Sequence, residues 1–174
     1  EVVPKRARPV DRRSLEAAAL RYLSQRGASR AQLARALKRR VERDARRREV
    51  DPDPAAEEWI EEVLGKMEGW GYLDDAKYAR DKAKAMRRRG ASRRKIEAKL
   101  AEKGIARDLA DDALEGEARG AEREAAEALV RRRRFGRDPE RWQKELAALA
   151  RAGFSYDVAK TVLEAAAAEY ADDP

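Results

Sequence analysis

The sequence contains no cysteine and no histidine in its 174 residues. The lack of cysteine excludes disulfides and thiolate chemistry, and the lack of histidine removes the commonest metal ligand and the commonest general base. The sequence also has no phosphate-binding loop, no dinucleotide-binding glycine motif and no serine nucleophile motif. It therefore predicts a protein that is not an enzyme and that uses no metal or cofactor.

Large apolar residues are scarce as well. Val, Leu, Ile, Met, Phe, Trp and Tyr together number 38, whereas 43% of all residues are charged. This composition suits several small helical bundles in a row better than one large globular core. No segment has the roughly 20 consecutive apolar residues of a membrane span, and the amino end has no apolar signal-peptide core. We therefore expect an elongated cytoplasmic protein without a membrane partner.

Apolar residues recur at the three- and four-residue spacing of α-helices along the chain, and no segment alternates as a strand does. This periodicity predicts nine helices, separated by stop and cap signals such as Gly27 followed by Ser29. Trp59 and Trp142 lie in apolar helix faces, so we expect both in the core. Trp70 lies between two glycines, and its position is left open.

Two internal matches indicate repeated structure. Residues 26–30 are identical to residues 89–93, and the apolar residues that follow them align without a gap. A second ungapped match aligns residues 104–115 with residues 153–164. The sequence therefore predicts an all-α, elongated array of three tandem three-helix repeats. The predicted segments are a flexible basic arm at 1–13 and repeats at 14–73, 74–118 and 119–170.

Positive charge is concentrated in residues 84–103, where nine Lys or Arg and two Glu give a net charge of +7, equal to that of the whole chain. A helix ends at Gly90 and the next begins at Ser92, so this charge flanks a turn between two helices. The first turn of a helix ordinarily favours Asp or Glu, yet residues 93–95 are all basic. The departure predicts an anion-binding site at this turn.

A second basic run, residues 131–134, ends the seventh predicted helix. Compensation of the helix dipole and binding of a partner explain this run equally well. A scaffold whose charge only keeps it in solution is a further alternative for the whole chain. The candidate binding residues are Arg87, Arg88, Arg89, Arg93, Arg94, Lys95, Lys99, Arg131, Arg132, Arg133 and Arg134.

Four short motifs occur in a characteristic order: Gly-Tyr-Leu-Asp-Asp-Ala-Lys-Tyr-Ala at 71–79, Arg-Arg-Arg-Gly at 87–90, Lys-Gly-Ile at 103–105 and Arg-Ala-Gly-Phe-Ser-Tyr-Asp at 151–157. In these motifs and their spacing the chain resembles the bacterial regulatory protein family RecX, over about residues 14–167. One departure is Ala106, which stands where the family pattern favours a capping residue.

The resemblance implies a curved array that binds the RecA recombinase filament on DNA. There it would modulate, and mostly inhibit, filament extension, ATP hydrolysis, strand exchange and co-protease activity, and so act in homologous recombination, DNA repair and the SOS response. The expected partners are the RecA filament and single- and double-stranded DNA, with the protein itself a monomer. A stand-alone helix-turn-helix-like nucleic-acid-binding protein is the alternative.

Overall fold

The computed structural model describes residues 9–115 and 120–171, and within these ranges all regular structure is helical. The elements are α1 (Arg12–Gln25), α2 (Arg30–Arg48), α3 (Ala56–Gly69), α4 (Asp75–Arg88), α5 (Arg93–Glu102), α6 (Arg107–Glu115), α7 (Ala121–Arg133), a 3₁₀ turn (Pro139–Arg141), α8 (Trp142–Arg151) and α9 (Tyr156–Ala171). The all-α prediction with nine helices is thus confirmed for these residues. The elongated, curved arrangement stays a prediction.

Helix α1 begins at Arg12, two residues before the predicted start at Ser14. Asp11 is the reason, since its carboxylate accepts a hydrogen bond from the Ser14 backbone N–H at 2.7 Å and its own N–H donates to Ser14 Oγ at 3.0 Å. This reciprocal cap satisfies two amides that a helix start otherwise leaves unpaired. Residues 1–8 of the predicted basic arm lie outside the described residues.

The two matched Ser positions both cap helices, as the capping pattern predicts. Ser29 accepts from the Gln32 N–H and Ser92 accepts from the Lys95 N–H, each at 3.2 Å. Both serines are fully buried. A buried cap fixes the start of its helix more firmly than an exposed one, because water cannot replace the serine oxygen.

The chain divides into two compact units, Glu1–Tyr78 and Ala79–Pro174. In the first unit, α1, α2 and α3 pack around a core in which Leu15, Leu33, Val63, Leu64 and Met67 are all fully buried. Burial of each such side chain stabilises the fold by about 1.5–3 kcal/mol relative to exposure. This core explains why α3, which has the clearest apolar face, packs against both α1 and α2.

In the second unit, α7, α8 and α9 pack around a core that includes Leu149 and Leu163. Trp59 packs against the first core and Trp142 against the second, which confirms both predictions for these residues. Trp70, by contrast, is 53% exposed at the turn between α3 and α4. Among the described residues, every helix is too short or too polar to span a lipid bilayer.

The two segments that match in sequence make equivalent contacts. The Arg30 N–H, at the start of α2, donates to Asp75 Oδ1 at 2.8 Å. The Arg93 N–H, at the start of α5, donates to Glu122 Oε2 at 3.0 Å. In each case the acceptor lies in the first turn of a later helix, α4 or α7. The division into an arm and three repeats stays a prediction.

Candidate functional site

The turn between α4 and α5 lies directly against α7. At Gly90, which has φ +77°, an added Cβ would lie 2.8 Å from the Ala125 carbonyl oxygen and 2.9 Å from the Leu129 nitrogen. Only glycine permits so close an approach of two backbones in this conformation. The approach brings the basic ends of α4 and α5 next to the basic carboxyl end of α7.

Glu122, in the first turn of α7, holds this arrangement from one side. Its Oε2 lies 2.6 Å from Arg87 Nη1 and accepts from the Arg93 N–H. Arg87 also donates to the Ala91 carbonyl oxygen at 2.9 Å, and its side chain is only 13% exposed. The first-turn amide of α5 therefore already has a carboxylate, supplied by α7, and Arg87 is a structural residue of the turn.

Ser92 holds the turn from the other side. Its hydroxyl donates to the Ala152 carbonyl oxygen, at the junction of α8 and α9, over 2.7 Å, while also capping α5. The start of α5 is thereby fixed to two separate parts of the second unit. Side chains that project from this turn are held in a defined place, as a binding site requires.

A cationic groove of about 300 Å³ opens beside this turn. Its floor is apolar, with Met86 and Leu129, and no carboxylate lines it. Its basic lining residues are Lys82, Arg89, Lys95, Lys99, Arg132 and Arg133. We refer to these residues as the central groove. The clustering of cations without acids gives this surface a positive potential that favours an anion.

Few of the central groove cations are neutralised from within the chain. Lys99 pairs with Glu102 at 2.6 Å, and the Glu102 pKa is lowered by its hydrogen bonds to Lys99 and Lys103. Arg132 donates to the Arg89 carbonyl oxygen at 2.9 Å, which leaves its charge uncompensated. Within the described residues, Lys82, Arg89, Lys95 and Arg133 form no ion pair. An external anion is the natural counterion for these groups.

The structure therefore divides the eleven predicted site residues. Five of them line the central groove: Arg89, Lys95, Lys99, Arg132 and Arg133. Arg87 and Arg93 are held by carboxylates, the latter by Glu97 at 2.7 Å and Asp111 at 3.8 Å. The remaining four are exposed outside the lining: Arg88, Arg94, Arg131 and Arg134.

Sequence reasoning missed Lys82. It lies four residues before Met86 on the same face of α4, and Arg89 follows Met86 by three residues, just past the end of α4 at Arg88. The helical spacing of Lys82 relative to the basic end of α4 was the signal available. Within the described ranges, no group of three or more metal-ligating side chains comes together.

These features define an all-helical protein with a preformed cationic groove. The family model for the second three-helix domain of RecX matches residues 74–114, which contain α4, α5 and all of α6 except Glu115. The chain is 38% identical over 170 residues to the regulatory protein RecX of Myxococcus xanthus, covering 92% of this chain and 90% of that one. It is 34% identical over 166 residues to the regulatory protein RecX of Mycobacterium ulcerans, covering 92% and 88% of the two chains. The chain belongs to the RecX family of regulatory proteins.

Solved structures agree in fold. The crystal structure of RecX from Lactobacillus salivarius has a TM-score of 0.65 at 23% identity, covering 89% of this chain and 96% of that one. A second crystal structure of regulatory protein RecX has a TM-score of 0.65 at 25% identity, covering 94% and 80% of the two chains. The resemblance found in the sequence motifs is confirmed.

Proposed function

We propose that this protein binds the RecA recombinase filament on DNA and restrains filament extension, with reduced ATP hydrolysis, strand exchange and co-protease activity as the result. Membership of a family of regulatory proteins supports a regulatory role, and the work of such a regulator lies in the cytoplasm. The single observation that carries the site is the central groove, with its cations and no lining carboxylate. A filament of protein on DNA offers both phosphates and carboxylates to such a groove.

Within the predicted site, we assign direct contact to the residues that line the central groove. The exposed cations outside it, such as Arg94 and Arg131, raise the local positive potential that guides association. Arg87 and Arg93 act through the shape of the turn, because internal carboxylates hold their guanidinium groups. The elongated, curved array of three repeats remains part of the proposal, as does a monomeric regulator that also binds single- and double-stranded DNA.

The test is the DNA-dependent ATP hydrolysis of RecA during filament growth, with this protein added at increasing concentrations. The groove variant is Arg89→Gln, Lys95→Gln, Arg133→Gln. Three exposed cation contacts of about 0.5–1 kcal/mol each predict a roughly 10- to 100-fold rise in the concentration that gives half-maximal suppression. The matched control is Arg80→Gln, Arg107→Gln, Lys144→Gln, which removes the same charge from exposed positions outside the groove of the same unit.

Equal losses in the groove variant and the control would show that net charge, and not the central groove, carries the effect. Undiminished suppression by the groove variant, with helicity retained, would refute the assigned site but keep the function. If the wild-type protein leaves ATP hydrolysis unchanged and still binds bare DNA, the helix-turn-helix-like nucleic-acid-binding protein becomes the better description. That alternative has little support in the central groove, whose lining contains no Asn or Gln to read base edges.

A further inference from the structure

A second cationic groove runs between α1 and α2 in the first unit. It has two adjoining parts, of about 670 Å³ and 290 Å³, which share Arg40 and Arg43. Its cations are all arginines: Arg13, Arg21, Arg39, Arg40, Arg43 and Arg47. We refer to this as the arginine groove. The family model, which matches residues 74–114, does not cover this groove, and none of its arginines lines the central groove.

The arginines form two rows on the facing helices. Arg13 and Arg21 are eight residues apart on α1, and Arg39 and Arg47 are eight residues apart on α2, so each row is about 12 Å long at 1.5 Å per residue. The start of α1 lies beside the end of α2, since Arg13 and Arg47 line the same part of the groove. Arg21 and Arg39 line the other part. The groove therefore presents positive charge on both walls along its length.

The arginine groove differs from the rest of the unit in how its charges are compensated. Several basic side chains elsewhere in the unit have carboxylate partners: Arg12 with Glu62 at 2.8 Å, Arg30 with Glu61 at 2.7 Å and Lys66 with Glu16 at 2.8 Å. In the part of the chain that the structure describes, the groove residues Arg21, Arg39, Arg40, Arg43 and Arg47 form no ion pair. These five charges are available to an external anion.

In Arg40, one buried nitrogen also lacks a hydrogen-bond partner among the described residues. Arg40 lies where the two parts of the groove meet, and this nitrogen is its Nε. Buried charged donors are normally paired, because leaving one unpaired costs more than about 1–3 kcal/mol. A bound anion offsets part of this cost through the accessible nitrogens of the same guanidinium.

The carboxylates that do line the arginine groove have other partners. Asp11 accepts from the Ser14 N–H at 2.7 Å, and Asp44 accepts from the Val10 N–H at 3.1 Å and lies 3.6 Å from Arg48. Both acids therefore hold the chain at the start of α1, and six arginines against two acids leave a net charge of +4 in the lining.

We infer that the arginine groove is a second nucleic-acid site, which binds the phosphodiester backbone of single-stranded DNA. A length of about 12 Å holds at most about three phosphates of a stacked single strand, at about 3.4 Å of axis per charge, and fewer of an extended strand. Arginine suits this ligand because its planar fork donates two parallel hydrogen bonds to a phosphate. Small residues in the lining, Ala17, Ala18 and Ala36, let a chain lie close to both helices.

The test is fluorescence anisotropy of a labelled oligothymidylate with the full-length protein, over a series of NaCl concentrations. The groove variant is Arg39→Gln, Arg43→Gln, Arg47→Gln. Loss of three phosphate contacts lowers the slope of log affinity against log salt by about 2, at about 0.7 per contact on a single strand. The matched control is Arg35→Gln, Lys38→Gln, Arg46→Gln, on the same helix outside the groove, for which the slope changes by less than about 1.

A third variant, Arg39→Lys, Arg43→Lys, Arg47→Lys, distinguishes loss of charge from loss of folding. It changes the same three positions but keeps their charge, so it must keep the slope of log affinity against log salt. An unchanged slope in the Gln groove variant, or equal changes in groove variant and control, would overturn the assignment. Competition by an acidic peptide as effective as unlabelled oligothymidylate at equal charge would assign the groove to carboxylates instead. The assay contains no RecA, so its failure and the failure of the proposed regulatory function are separate results.

Discussion

The contact between Gly153 and Ser92 gives a quantitative test of how the start of α5 is held. Gly153 has φ +96°, and a Cβ added there would lie 2.5 Å from Ser92 Oγ. That oxygen donates to the Ala152 carbonyl and accepts from the Lys95 N–H. Gly153→Ala therefore forces a left-handed conformation on alanine and pushes Ser92 Oγ away from both of its hydrogen bonds.

The expected costs follow from these two effects. The backbone conformation costs about 1–2 kcal/mol for a residue with a Cβ. The two hydrogen bonds are worth about 1 kcal/mol each, so the free energy of unfolding falls by about 3–4 kcal/mol in all. Ser92→Ala alone removes the same two bonds and costs about 2 kcal/mol. In the double variant the nearest atom left at residue 92 is Cβ, at 3.5 Å, which is an ordinary contact.

The double variant should therefore lose about 3–4 kcal/mol, whereas the single losses sum to about 5–6 kcal/mol, a coupling of about 2 kcal/mol. The assay is urea unfolding followed by Trp142 fluorescence, in a background where Trp59→Phe and Trp70→Phe leave one tryptophan, in the second unit. Gly120→Ala is the control, since φ is +99° there and an added Cβ meets nothing within 4 Å. Single losses that add to within about 0.5 kcal/mol would refute the proposed clash.

Two further predictions concern acidic residues. Glu122→Gln removes the charge partner of the poorly exposed Arg87 and lowers the free energy of unfolding by about 2 kcal/mol, as read from the urea midpoint. The control is Glu124→Gln, an exposed position on the same helix, which should change the free energy of unfolding by less than about 0.5 kcal/mol. Equal urea midpoints for the two variants would contradict the role of Glu122. The Asp11 pKa is lowered in the folded protein, chiefly by the hydrogen bond from the Ser14 N–H. The ionised carboxylate therefore stabilises the fold at pH values above its unfolded pKa of about 3.9. This contribution is lost as the pH falls through the folded pKa. Asp11→Asn keeps a capping oxygen without the titration, so thermal melts should show a smaller loss of Tm below about pH 4 than in the wild-type protein, and parallel losses would rule out this contribution.

The helices and their ends were predictable because the signals that set them are local. Ser29 with Gln32 three residues later is enough to specify the start of α2, and the structure shows both hydrogen bonds of that capping box. Apolar spacing likewise placed Trp59 and Trp142 against cores. Asp11 was missed as the cap of α1 because its reciprocal partner is a serine, where the usual pattern has Glu or Gln.

The partner of the basic first turn of α5 could not be predicted from the sequence. Three cations in a position that favours acids suggested an open anion site, but the acid is supplied by Glu122, 29 residues beyond Arg93. The central groove has the same origin, since Lys95 and Arg133 meet only because Gly90 lets α7 approach the turn. Such contacts depend on tertiary packing, which no local pattern records.

The arginine groove was missed for a related reason. The charged end of α2 reads in sequence as a solvated helix face, which is the usual meaning of such a run. Only the packing of α1 beside α2 places Arg13 and Arg21 opposite Arg39 and Arg47 and makes a groove between them.

The acid that accepts from the first backbone N–H of α2 comes from α4, through Asp75, and the acid that accepts from the first backbone N–H of α5 comes from α7, through Glu122. The 3₁₀ turn before α8 instead uses its own Asp138, which accepts from the Glu140 N–H at 3.0 Å. A segment that is cut in the loop after α2 or α5 therefore keeps its serine cap but loses the acid that binds the first N–H of the helix. A duplicated or exchanged segment keeps this contact only if it also carries the acidic first turn of α4 or α7.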